Sequence, residues 1–251
     1  MEKVLKQIVN PFIYDEIESR VKEDAYCKGP TITPWLQQTY AQRYEDIILL
    51  SMLDAYALKC TKPLKYGYVE IGANHPISTS STFLLQQKYG CYGILVEPNP
   101  ELAECLKKQR PKDIVMEAAC VPDDSQEEKL FICKENELSS MDYRFIARFE
   151  KKGDLKEVKK VKAININAVL ENTLMLWDIY SLFIDVEGPD VEILEAIDYK
   201  KHRPITIQVE VSDTIRPGNS DRIRKVMEEN GYVFIANTFI NFIFFDGERL
   251  P

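Results

Sequence analysis

Histidine and tryptophan are scarce, with two of each in 251 residues, so His75 and His202 are the only imidazoles available for chemistry. Positive charge is in deficit: 32 Lys plus Arg stand against 40 Asp plus Glu, a net charge of −8. That balance disfavours nucleic-acid and anionic-membrane partners, which need clustered cations. No run approaches the ~18 apolar residues of a membrane-spanning helix. The N-terminal MEKVLKQIVNPFIYDEIESR has no apolar h-region, so a soluble, cytoplasmic protein is expected. No two of the six cysteines (Cys27, Cys60, Cys91, Cys105, Cys120 and Cys133) form a C-x-x-C pair. A zinc site or disulfide framework is therefore not expected, and reduced thiols beside apolar runs are. Ten Gly and 13 Pro are too few for a fibrous or low-complexity chain.

What is present is an alternation of buried strands and helices. The length suits one large domain, taken as residues 35–251 behind an N-terminal extension at 1–34. A helix is expected from about Arg43 to Lys59, on the apolar face of Ile47, Ile48, Leu50, Met52, Leu53 and Tyr56. YGYVEIG (66–72), CYGILVEP (91–98), DIVMEAACV (113–121) and EKLFICK (128–134) read as strands. So do SLFIDVEG (181–188), PITIQVEVS (204–212) and a closing hairpin over 232–247. VKKVKAINI (158–166) suits an edge strand or the run into a short helix. Between them lie helices over 78–90, stopped by Gly90, and over 99–111, capped by Asn99 with Pro100 at its first position. Two more cover PDVEILEAID and NSDRIRKVMEENG, the latter capped by Asn219 or Ser220. Near-continuous apolar strands alternating with helices imply an α/β fold: a sheet of about seven mostly parallel strands, an antiparallel last strand, and helices on both faces.

Two strand ends carry the first chemical signals. Glu70-Ile71-Gly72-Ala73-Asn74 sets an acid at the end of a buried strand, before a glycine turn that lets a ligand approach the backbone. Glu97, 25 residues beyond Gly72, ends the next strand, where a carboxylate can accept both hydroxyls of a ribose. The G-x-G-x-x-G fingerprint is missing, because Gly72-Ala73-Asn74-His75-Pro76 has neither the second nor the third glycine. A nucleoside without a pyrophosphate fits better than NAD or FAD. A dinucleotide oxidoreductase and a non-catalytic Rossmann-like interaction module are the alternatives.

These stretches resemble the FkbM-type S-adenosylmethionine-dependent methyltransferases. TYAQRYEDIIL (39–49), YVEIGANHP (68–76), GILVEPNPEL (93–102), LFIDVEGPDVEIL (182–194) and ITIQVE (205–210) follow the family's order. The resemblance implies a Rossmann-like methyltransferase fold, S-adenosylmethionine as cofactor, and O-methylation of a small-molecule or glycan acceptor such as a sugar or natural-product hydroxyl. It places Glu70, Gly72, Ala73 and Asn74 around the amino-acid end of the cofactor and Glu97 on its ribose. Pro98 and Asn99 would flank the adenosine, Ala118 or Ala119 would lie near the adenine, and Gln42 would reach in from the N-terminal side. His75-Pro76 departs from the glycine that many members carry after the Asn.

Asp185 and Glu187 are two apart at the end of a strand, so their carboxylates are expected on one face. Such a pair can raise one pKa and supply a base for a hydroxyl, hold a divalent cation, or cap the following helix. Asp185, Glu187 and His75 are taken as the catalytic candidates, and no metal is assigned. His202, in KKHRP, reads as a surface residue. Glu210 could line the same cleft, and Ser139 and Ser140 could lie near the substrate. The charged run 144–160 reads as a solvated face or as a basic patch for an anionic glycan. Oligomeric state is not legible; a homodimer is compatible with the sequence.

Overall fold

The computed structural model describes residues 39–134, 139–149, 155–213 and 216–250. The expected extension at 1–34, Cys27 and parts of the charged run lie outside these residues. In chain order the elements are α1 (Glu45–Lys59), β1 (Tyr66–Ile71), α2 (Phe83–Tyr89), β2 (Gly93–Val96), α3 (Pro100–Gln109), β3 (Ile114–Met116) and β4 (Ala119–Val121). Then come β5 (Glu127–Cys133), α4 (Tyr143–Phe149), β6 (Leu155–Asn165), α5 (Ile166–Glu171) and β7 (Ile179–Ile184). The chain closes with α6 (Asp190–Glu195), β8 (Thr206–Glu210), α7 (Asn219–Glu229), β9 (Tyr232–Asn237) and β10 (Asn241–Asp246).

Seven strands form one sheet in the order β3-β2-β1-β7-β8-β10-β9. Only β10 runs against the others, antiparallel to both β8 and β9. Strand residues alternate between two buried layers. Val69, Ile71, Leu182 and Ile184 join the layer with α5, α6 and α7. Tyr68, Leu95 and Phe183 join the layer with α1, α2 and α3. Both faces being covered explains why these strands read as continuous apolar runs. The caps of α3 and α2 follow the sequence: the Asn99 side chain accepts from Glu101 N, and Gly90 takes a left-handed φ of 62° after α2.

Three expectations change. DIVMEAACV is two strands, β3 and β4, and they belong to different sheets. The break falls at Glu117-Ala118, where the carbonyl of Met116 accepts from both Glu97 N and Ala118 N. EKLFICK falls in β5 of a separate sheet, ordered β4-β6-β5; VKKVKAINI is not an edge strand but the end of the central strand, β6, running straight into α5 at Ile166. Finally, α7 is preceded by Gly218 at φ 91° with no side-chain cap; the Asp213 carboxylate accepts from Ser220 N instead.

The crossing from β3 back to β7, on the other side of β1, makes the β1–β7 boundary the switch point of the sheet. Ligands of open α/β sheets sit at the carboxyl ends of strands there. Among the described residues no helix is long and apolar enough to cross a membrane. None of the five described cysteines is in a disulfide.

Candidate functional site

The turn after β1 is held tightly to its neighbours. Gly72 N and Ala73 N both donate to the carbonyl of Val96 at the end of β2. On the other side, Asp185 N donates to the carbonyl of Ile71. Gly72 has φ 82°, and a Cβ there would lie 1.8 Å from the Asp185 carbonyl oxygen. Only glycine suits this position, on steric and on conformational grounds. Asn74 also adopts a positive φ, 48°.

Glu97 is clamped by two backbone amides. Asn74 N donates to its Oε2 and Asn99 N to its Oε1, each at 2.8 Å. The side chain is 5 % exposed. Burial pushes its carboxyl up to about 7, against the pull of the two amides. Glu70 is buried beside α2, where Thr82 Oγ1 donates to its Oε2 at 2.6 Å. Burial raises it to about 7 as well, with the nearby Arg110 guanidinium opposing.

These turns enclose a cavity of about 950 Å³, counted with its open mouth. Of the residues expected to hold the cofactor, Gln42, Glu70, Gly72, Ala73, Asn74, Glu97, Pro98, Asn99 and Ala119 line it. Asp185 and Glu187 line it too; His75 and Ala118 do not. The His75 ring is turned to its own loop, with Nδ1 accepting from Ile77 N and Ser78 N. His75 thereby shapes the turn and does not face the cavity. A larger cavity at the opposite ends of β1 and β7 is walled by Tyr56, Tyr66, Tyr89, Tyr92 and Trp177. Its lining holds no carboxylate, in contrast to the first.

The expected strand geometry of Asp185 and Glu187 is not what brings them together. β7 ends at Ile184. Glu187 sits in a turn at φ 55°. Asp190 shapes that turn, its two oxygens accepting from Val186 N and Gly188 N. Glu210, at the end of β8, joins them: one oxygen each of Asp185, Glu187 and Glu210 lie within 4.8 Å of one another. Burial, then the charges of Asp185 and Asp190, push Glu210 up to about 9. Ser140 ties the small sheet to this turn by donating to the Glu187 carbonyl. Ser139 and Ser140 line the cavity, whereas Glu210, expected in the same cleft, is not part of its lining.

His202 is corrected. It is 1 % exposed, with Nε2 3.9 Å from Glu171, and burial lowers its pKa. It is not a surface residue, nor does it line the cavity.

Several residues of the site were not singled out from sequence. Glu45 and Asp46 are fully buried at the start of α1. Asp46 accepts from Thr39 Oγ1, Tyr40 N and Ala41 N, which holds the strap carrying Gln42 to the cavity rim. Glu45 accepts from Thr238 Oγ1 and Asn241 Nδ2 of the hairpin. Consecutive acids at a helix start also read as ordinary dipole partners, so nothing in their type reveals this role. Ser81 and Gln208 line the cavity and are bonded to each other.

The donor set suits a nucleoside. Asn99 spends its Oδ1 on capping α3, while its Nδ2 is buried with no partner, beside Glu97. A free donor next to a strand-end acid matches a ligand bearing both acceptors and hydroxyls. A sheet of this order, with a cavity lined by strand-end acids at its switch point and no phosphate-binding glycine run, has a Rossmann-like methyltransferase fold. The methyltransferase FkbM domain matches residues 70–234, and the chain belongs to that family. It is an S-adenosylmethionine-dependent methyltransferase, and the dinucleotide oxidoreductase alternative falls. No curated protein sequence matches the chain. Among solved structures it is similar to a TehB-like SAM-dependent methyltransferase from Corynebacterium glutamicum, at 10% identity over 94% of this chain and 100% of that one, with a TM-score of 0.39. It is also similar to the plantazolicin methyltransferase BpumL, solved with SAH and a desmethyl analogue, at 12% identity over 86% and 72% of the two chains and a TM-score of 0.33.

Proposed function

We propose that the chain methylates a hydroxyl oxygen on a sugar, glycan or natural product. When bound, S-adenosylmethionine supplies a sulfonium methyl group, which an acceptor oxygen takes with release of S-adenosylhomocysteine and a proton. In this reading Glu97 accepts from the ribose hydroxyls, and Asn99 Nδ2 donates to the nucleoside. Gly72, Ala73 and Asn74 present backbone to the amino-acid end, with Glu70 behind them. Pro98 and Ala119 wall the adenosine, and Gln42 closes the cavity from the rim.

The observation that carries the acceptor side is the carboxylate pair Asp185 and Glu187 in the same cavity as Glu97. Oxygen nucleophiles must shed a proton during or after attack, and a carboxylate within reach can take it. Alignment of the hydroxyl with the methyl group supplies the larger share of the rate. Asp185 and Glu187 therefore orient the acceptor, and one of them receives its proton.

The test is methyl transfer to a panel of sugar and glycan hydroxyls, with S-adenosylhomocysteine release as readout. Asp185→Asn is expected to keep S-adenosylhomocysteine affinity and to lower kcat by about 10²–10⁴-fold. Full turnover by this variant on an acceptor that the parent protein methylates would remove Asp185 from the chemistry. Methylation at nitrogen or carbon only would overturn the oxygen acceptor.

A further inference from the structure

Glu210 joins Asp185 and Glu187 although it comes from the neighbouring strand. Three carboxylate oxygens within 4.8 Å of one another leave a point no more than about 2.8 Å from all three, close to the 2.0–2.6 Å at which hard cations bind oxygen. The charged groups that act most on Glu210 are Asp185 and Asp190, both negative. Arg216 donates from Nη1 to Glu192 and from Nη2 to Asp142, and its buried Nε has no partner.

A second observation, independent of the acids, points to a ligand. Gln208 is 4 % exposed and lines the same cavity as Asp185 and Glu187. It precedes Glu210 by two on β8, so both project from one face of the sheet. Its Nε2 donates to Ser81, while its Oε1 is buried without a partner. One oxygen of Glu210, Oε2, is also buried without a partner. Gln208 Oε1 and Glu210 Oε2 are thus two buried acceptors, two positions apart on one strand face, that call for a cation or a donor.

We infer that Asp185, Glu187 and Glu210 hold one hard divalent cation of the Mg²⁺ or Mn²⁺ class beside the cavity, whose lining includes Asp185 and Glu187. An all-oxygen set selects such ions over zinc or copper, and Mg²⁺ keeps coordination positions for other oxygens. Under the proposed function, on which this part alone rests, the acceptor hydroxyl takes one of those positions. There the ion orients the hydroxyl and eases loss of its proton.

The test uses chelator-treated full-length protein titrated with Mn²⁺, following the free-ion EPR signal. One site per chain is expected, displaced by Mg²⁺ and not by K⁺. Glu210→Gln and Asp185→Asn should each weaken Mn²⁺ binding by about tenfold or more, while Glu104→Gln, on the exposed face of α3, should not. Glu210→Gln keeps the side-chain shape and takes one acid out of the cluster with Asp185 and Glu187, so the metal-free variant should melt no lower than the parent. Lost Mn²⁺ binding in that variant is then not unfolding. No Mn²⁺ bound at millimolar concentration, or equal binding by Glu210→Gln, overturns the inference. S-adenosylhomocysteine titration of the chelated protein separates the two readings. Intact nucleoside affinity without Mn²⁺ binding sinks the cation alone, and absent nucleoside affinity sinks the cofactor site.

Discussion

Gly72→Ala should abolish cofactor binding and cost the fold about 3 kcal/mol, among the larger single-residue effects. Two penalties add. Alanine at φ 82° pays the left-handed backbone cost of roughly 1–2 kcal/mol. Its Cβ would also lie 1.8 Å from the Asp185 carbonyl oxygen and 2.8 Å from the carbonyl carbon. Both atoms are backbone, so no side chain can swing aside. Relief requires β1 and β7 to part at the switch point, breaking the bond from Asp185 N to the Ile71 carbonyl. Gly90→Ala is the control. Gly90 has φ 62° with nothing within 4 Å of an added Cβ, so only the conformational cost of about 1 kcal/mol applies. Thermal melting and S-adenosylhomocysteine titration of both variants check this. Equal losses in the two would mean that the close approach at Gly72 is not real.

Arg110→Met is expected to destabilise the protein by about 3–5 kcal/mol, because it leaves a buried charge unpaired. The Arg110 and Asp113 side chains are both fully buried, with Nε 2.6 Å from Oδ2. The same guanidinium donates to the Tyr68 hydroxyl, to Thr82 Oγ1 and to the Pro76 carbonyl. Thr82 in turn donates to Glu70. Arg110 thus braces both the loop after β1 and the carboxylate beside the cavity. Without its positive charge Glu70 is driven further toward the neutral acid. Asp113 would keep its bonds from Tyr68, Gln86 and Gly93, but with no cation. The double variant Arg110→Met with Asp113→Leu removes both charges and should recover part of the loss, a coupling that urea unfolding measures. Additive losses would show that the pair is not an energetic unit.

Arg110 also marks where sequence reasoning stops. It stands at the end of a legible helix, and lysines at 107 and 108 make it look like one more solvated cation. Its partners Tyr68 and Thr82 lie 42 and 28 residues away, which no local pattern encodes. His202 fails for the same reason: its charged neighbours suggest surface, and only the packing buries it. Asp185 and Glu187 were found by a rule that does not apply, since the chain has left the strand by then. The turn bonded to Asp190 gathers them instead. By contrast, Gly72, Glu97 and Asn99 were legible because their roles are local: a turn that needs glycine, an acid at a strand end, and a helix cap. The sheet was legible for a similar reason, since strands covered on both faces must be apolar throughout. Assigning β4 and β5 to a second sheet was not, because apolar pattern tells burial and not which neighbour a strand pairs with.

The most direct measurement is a calorimetric titration of the purified protein with S-adenosylmethionine and S-adenosylhomocysteine, with NAD(H) as control. Glu97→Ala leaves Asn74 N and Asn99 N without their acceptor, so its folding is checked by thermal melting, and the folded variant should lose the micromolar binding expected of the parent protein. The parent should also bind more weakly at pH 6 than at pH 8. Glu97 has its pKa near 7 and must be ionised to accept from a ribose. Failure of the folded parent to bind either ligand, or undiminished binding by Glu97→Ala, would contradict a cofactor site at this cavity and return the chain to a fold kept for interaction alone.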